Sequence, residues 1–142
     1  MISYFNSTIF RKTLAGLSGF FLVLFLLGHL LGNLQLFIPG EDGQKQFNEY
    51  ALFMTTNPAV KILSVLTYSS IILHTVLTLF LVFQSSNARD VKYLQSSGNA
   101  NSTWGSKNMA VLGMLILIFI VIHMKSFWYE MHFGVIGLDP WG

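Results

Sequence analysis

Three long stretches of this chain are apolar almost without interruption, and polar residues return only between them. No charged residue occurs between Lys12 and Glu41, between Lys61 and Arg89, or between Lys107 and Lys125. Each interval holds enough apolar sequence for a helix of about 20 residues, the length that crosses a hydrocarbon core. The pattern predicts helix I over 12–37, an outer loop over 38–59 and helix II over 60–84. An inner loop over 85–107, helix III over 108–129 and an outer tail over 130–142 complete one transmembrane domain. Lys125 falls in the last turns of helix III, where its stem can snorkel, and Phe127, Trp128 and Tyr129 follow as an aromatic belt. The first span exceeds the usual signal-peptide core of about 7–15 residues and no A-x-A-like site follows it, so a membrane span is expected there.

Composition strengthens that reading. Hydrophobic residues make up 53% of the 142 and charged residues only 10%, against roughly 25% charged in a soluble domain, so the chain cannot coat itself with solvated charge. It contains no cysteine, which excludes disulfides, thiolate metal sites and iron–sulfur clusters within it. A net charge of +2 is too small to suggest nucleic acid. The location of the charges says more. Arg11 and Lys12 precede helix I, and Arg89, Lys92 and Lys107 lie between helices II and III, whereas Glu41, Asp42 and Glu49 dominate the first loop. The positive-inside rule then predicts a cytoplasmic N-terminus and a cytoplasmic second loop.

Each span carries one histidine: His29, His74 and His123. An imidazole among hydrocarbon side chains needs a hydrogen-bonding partner or a metal. At 1.5 Å per residue, His29 and His123 lie roughly 25 and 23 Å from the cytoplasmic ends of their helices, and His74 only about 15 Å. Two histidines at one depth on parallel helices can approach one iron from opposite sides, the bis-imidazole geometry of an electron-transfer haem. The competing interpretation is interhelical hydrogen bonding. Gly16, Gly19, Gly28 and Gly32 suit either close helix packing or a cofactor edge. The hydroxyls of Thr67, Tyr68, Ser69, Ser70, Thr75 and Thr78 either bond back to their own helix or face a cofactor. Met114, Met124 and Met131 are expected to pack rather than ligate.

The segments SGFFLVLFLLGHLLGNLQLF, FMTTNPAVK followed by His74, and ARDVKY with NSTWGSKNM followed by His123 together resemble one family. It is the cytochrome b556/b558-type membrane anchor of bacterial succinate dehydrogenase and fumarate reductase, and the resemblance runs along essentially the whole chain. It implies an all-α transmembrane fold, here a three-helix portion of a five-helix diheme cytochrome b bundle in the bacterial cytoplasmic membrane. It implies two haems b, a flavoprotein and an iron–sulfur subunit as partners, and electron transfer to or from a quinone, usually menaquinone. The chain would be a non-catalytic subunit of that oxidoreductase.

Carried over position by position, His29 and His123 match the ligands of the distal haem, and His74 matches one ligand of the proximal haem. The other proximal ligand belongs to a fourth helix that these 142 residues do not contain, so the missing half is expected further along a longer chain or on another polypeptide. His132 falls beyond helix III and does not replace it. Lys107 and the other inner basic residues are candidates for haem propionates or partner carboxylates, with topology determination as the plainer role. Glu49 is a candidate for proton exchange with quinone at the outer side, against simple solvation. Three alternatives stand beside this reading: a non-redox anchor or assembly protein with structural histidines, a three-helix subunit binding one haem, and a small transporter. The last lacks the paired carboxylates or broken helices it would need at the midplane.

Overall fold

The computed structural model describes residues 7–88 and 102–134. Helix accounts for 92% of them and no strand occurs among them, so the architecture is all-α. Three helical stretches are long and apolar enough to cross a membrane: Thr8–Phe37, Pro58–Asn87 and Met109–Phe133. Tertiary contacts divide the chain into one unit ending at Ala88 and another beginning at Arg89.

In the first unit, α1 (Thr8–Asn33) starts where Ser7 Oγ accepts from the Phe10 amide at 3.1 Å, satisfying one of the donors a helix start leaves open. Its end tightens into a 3₁₀ turn, Leu34–Phe37. The long helix α3 (Pro58–Asn87) begins with Asn57 Oδ1 accepting from Ala59 N at 2.9 Å, and Pro58 fills a first-turn position that needs no amide hydrogen. Its first residue lies two positions before the expected start of helix II, because the Asn-Pro pair is itself the helix start.

The segment expected as an outer loop, 38–59, instead carries a 17-residue helix, α2 (Gly40–Thr56). Gly40 turns the chain with φ +85°, a conformation that costs an L side chain about 1–2 kcal/mol. Glu41 and Asp42 occupy the first turn, where the helix dipole favours negative charge. Phe47, Tyr50, Ala51 and Met54 recur at helical spacing and are the half-buried positions of α2.

α1 and α3 run antiparallel and close together. The Arg11 guanidinium lies 4.6 Å from the centroid of Phe80 near one end, and Ser18 meets His74 further along. Buried positions on these two helices are small: Ala15, Ser18 and Gly32 on α1, Thr67 and Ser70 on α3. Small residues let backbones approach, which is how helices associate where burial from water supplies no drive. Large apolar side chains point outward instead, Phe20 at 63% and Leu24 at 51% exposure among them. Such a surface belongs in hydrocarbon.

In the second unit, Thr103 caps the short α4 (Trp104–Lys107), its Oγ1 accepting from Ser106 N at 3.3 Å. α5 (Met109–His123) follows, then a π-helical segment, Met124–Tyr129, and α6 (Glu130–Phe133). The π segment begins at the residue after His123. A wider turn of this kind is rare in helices and recurs at functional sites.

Candidate functional site

His74 meets α1 through one ring nitrogen. Its Nδ1 is 3.0 Å from the carbonyl oxygen of Ala15 and 3.2 Å from Ser18 Oγ, both on α1. A carbonyl can only accept, so Nδ1 carries the proton and donates. The Ser18 hydroxyl donates to the Leu14 carbonyl at 2.8 Å, with the Ala15 carbonyl also in reach at 3.1 Å. In the neutral ring Nε2 then holds the lone pair, and it makes no hydrogen bond among the described residues. The backbone carbonyl thus fixes the tautomer and leaves the other ring nitrogen unengaged.

The ring reaches α1 because residue 19 is glycine. A Cβ added there would lie 2.8 Å from His74 Cε1 and 3.3 Å from Nδ1, inside van der Waals contact. Gly16 has nothing within 4 Å of an added Cβ, and neither has Gly28. The four glycines of helix I therefore differ in role: Gly19 seats His74, and Gly32 receives the phenol of Tyr50 from α2, with Tyr50 Cζ 2.8 Å from an added Cβ.

His29 stands in the same unit, eleven residues beyond Ser18 on α1. At 1.5 Å per residue it is roughly 16 Å along the helix axis from the level of His74. Its ring stacks on Phe25, one turn below, at 5.6 Å and 18°, and its backbone carbonyl accepts from Asn33 Nδ2 at 2.7 Å. His123, in the second unit, repeats the motif: it stacks on Phe119, again four residues earlier, at 5.5 Å and 23°, with Phe127 at 4.8 Å on the other side. A phenyl ring one turn away limits the rotamers open to each imidazole.

The candidates Glu49 and Lys107 lie on other elements. Glu49 is exposed on α2, with Lys45 Nζ 4.0 Å away one helical turn earlier. A pair this open contributes little stability and leaves the carboxylate in contact with solvent. Lys107 is the exposed last residue of α4. Arg89 and Lys92 lie outside the described residues. His132 donates from Nδ1 to the Trp128 carbonyl at 2.8 Å and packs against the Trp128 ring at 4.5 Å, which engages it locally in the tail. Hydroxyls of Thr67, Ser69 and Thr78 bond to carbonyls four residues back on their own helix, at 2.9, 2.8 and 2.7 Å. An open cavity of about 190 Å³ lies beyond His29 in the chain, lined by Gln35, Gln44 and Asn48 together with Leu36, Ile38 and Phe47.

The described residues contain no cluster of three or more His, Cys, Asp or Glu side chains able to hold a bare metal ion. Sequence reasoning missed Ser18, the Ala15 carbonyl and Tyr50. Ser18 lies inside a motif already singled out, but nothing in the chain's periodicity names its partner on another helix. Comparison of the chain with protein-family models, with curated proteins and with solved structures finds no match.

Proposed function

We propose that this chain is a haem b-binding membrane anchor of a succinate:quinone oxidoreductase, joining an iron–sulfur and flavoprotein pair to the bilayer at a menaquinone-reactive subunit. His29 and His123 would hold the outer haem, and His74 one face of the inner haem. The observation that carries this reading is the protonated Nδ1 of His74, engaged by the Ala15 carbonyl, with Nε2 left to ligate. Support also comes from the roughly 16 Å, measured along α1, between the levels of His74 and His29, a separation that leaves room for two cofactors. The shared Phe-x-x-x-His stacking of the two outer histidines is a third support.

Bound haem supplies reversible one-electron transfer, while the chain supplies axial nitrogens, their orientation and a low-dielectric setting. In this reading Arg11 and Lys107 belong to the cytoplasmic side, and Glu49 to the outer, quinone side. Amide donors of Gln35, Gln44 and Asn48 around the outer cavity suit the carbonyl oxygens of a quinone head group.

One further reading rests on a specific contact. The His74–Ala15 hydrogen bond ties α3 to α1, so the same imidazole would serve a structural, non-redox anchor. A reduced-minus-oxidised absorption spectrum of the purified protein separates the two. Low-spin haem b bands are expected, and their absence would leave the structural anchor standing. His29→Ala and His123→Ala should each remove the outer haem and quinone-linked turnover, while succinate oxidation with a soluble acceptor survives. Equal loss of both activities would instead indicate a folding role.

A further inference from the structure

We propose that Ser18 is a positioning residue for His74 that sets the electron-donating strength of Nε2, and through it the reduction potential of the inner haem. The role rests on the reading of His74 as a ligand. Three positions of α1 make the seat: the Ala15 carbonyl at 3.0 Å from Nδ1, Ser18 Oγ at 3.2 Å from the same nitrogen, and Gly19, where an added Cβ would strike Cε1. Ser18 is buried at 8% exposure, so water does not compete for its hydroxyl.

The direction of the hydroxyl decides what it does. Its hydrogen goes to the Leu14 carbonyl at 2.8 Å, within reach also of Ala15 O at 3.1 Å, which turns an oxygen lone pair toward His74. Nδ1–H is thereby shared between two acceptors. Each draws the proton outward and moves electron density through the ring to Nε2, raising its basicity as a ligand. A more basic ligand favours the oxidised iron over the reduced and lowers the potential.

Ser18→Ala removes one acceptor and leaves the carbonyl that holds the tautomer. The low-spin spectrum should persist while the inner haem becomes easier to reduce. One lost hydrogen bond of ordinary strength shifts the one-electron equilibrium by up to about tenfold, or 59 mV for one electron. Ser18→Thr keeps a hydroxyl on the same carbon and should stay near the wild-type potential.

The test is an anaerobic redox titration, followed by haem absorbance, of native membranes carrying wild-type, Ser18→Ala, Ser18→Thr or His74→Ala protein with its own partners. An upward shift of one haem in Ser18→Ala, with the wild-type value kept in Ser18→Thr, is the expected result. An unmoved potential in Ser18→Ala with intact low-spin bands overturns the positioning role and leaves the ligand reading in place. An equal shift in both Ser18 variants also overturns it, since packing rather than the hydroxyl would then be responsible. If His74→Ala keeps the full haem complement, or if wild-type membranes show no haem of this protein, the ligand reading itself falls and the role of Ser18 falls with it.

Discussion

At Gly19 a hydrogen in place of a methyl group lets His74 reach the backbone of α1. The Cβ of Gly19→Ala would sit 2.8 Å from Cε1, and the neighbouring Nδ1 is held by a hydrogen bond to the same helix. The imidazole must leave its seat or the helices must part. Overpacking of this kind costs about 1–3 kcal/mol. Thermal unfolding of the detergent-solubilised protein should show that loss for Gly19→Ala. Gly16→Ala is the matched control: an added Cβ has nothing within 4 Å, and alanine improves helix propensity by about 1 kcal/mol, so stability should hold or rise. Equal destabilisation by both changes would mean that the two glycines do not differ as the contacts say. The glycine stripe was plain in the sequence. Which of its members touches an imidazole was not, because that depends on the register between two helices distant in the chain.

Among the elements, α2 is the one that the charge pattern concealed. It lies in the segment expected as an outer loop between two spans, yet Phe47, Tyr50, Ala51 and Met54 already marked a helical face, and Glu41 and Asp42 marked its start. What fits its first turns against the chain leaving the 3₁₀ turn is the approach of Gly43 to the Ile38 backbone. An added Cβ would meet Ile38 C at 2.9 Å and the carbonyl oxygen closer still, and backbone atoms cannot swing aside. Gly43→Ala should therefore loosen α2 while the two spans persist. Limited proteolysis should cut residues 38–57 at least several-fold faster than in the wild type, with helical content nearly unchanged. Unaltered cleavage would place the anchoring of α2 elsewhere, for instance in Tyr50 against Gly32 of α1. The π-helical segment after His123 was also invisible in the sequence, since its residues read as an ordinary continuation of helix III with an aromatic belt.

At the scale of the whole molecule, apolar side chains face outward along all three long helices, and small or hydroxylated ones line the seam between α1 and α3. Water would exact a large penalty on that surface, whereas hydrocarbon leaves it at no disadvantage. The basic residues predict which end faces the cytoplasm, and the chain's lack of cysteine makes the prediction simple to check. A cysteine at Asn48 in α2 should react with a membrane-impermeant maleimide added outside intact cells, and one at Ser86 near the end of α3 should react only after permeabilisation. The reverse pattern would invert the orientation and move Glu49 to the cytoplasmic side.

The sequence by itself determined the membrane class, the three spans and the histidine in each, because these follow from local hydropathy and from the cost of charge in hydrocarbon. It also contained the small-residue stripe and the start signals at Ser7 and Asn57. Tertiary structure alone decided that His74 meets Ala15, Ser18 and Gly19, and hence which ring nitrogen carries its proton. It decided as well that the levels of His74 and His29 stand roughly 16 Å apart along the axis of α1, where the sequence-based depths suggested about 10 Å. Register between α1 and α3 is set by the packing of many weak contacts and by the geometry of the 3₁₀ turn and α2 between them. Hydrophobic pattern is nearly blind to such a slide, since almost every residue on either helix is apolar; the few polar atoms at the seam resolve it, because each needs a partner at one height and finds it at no other.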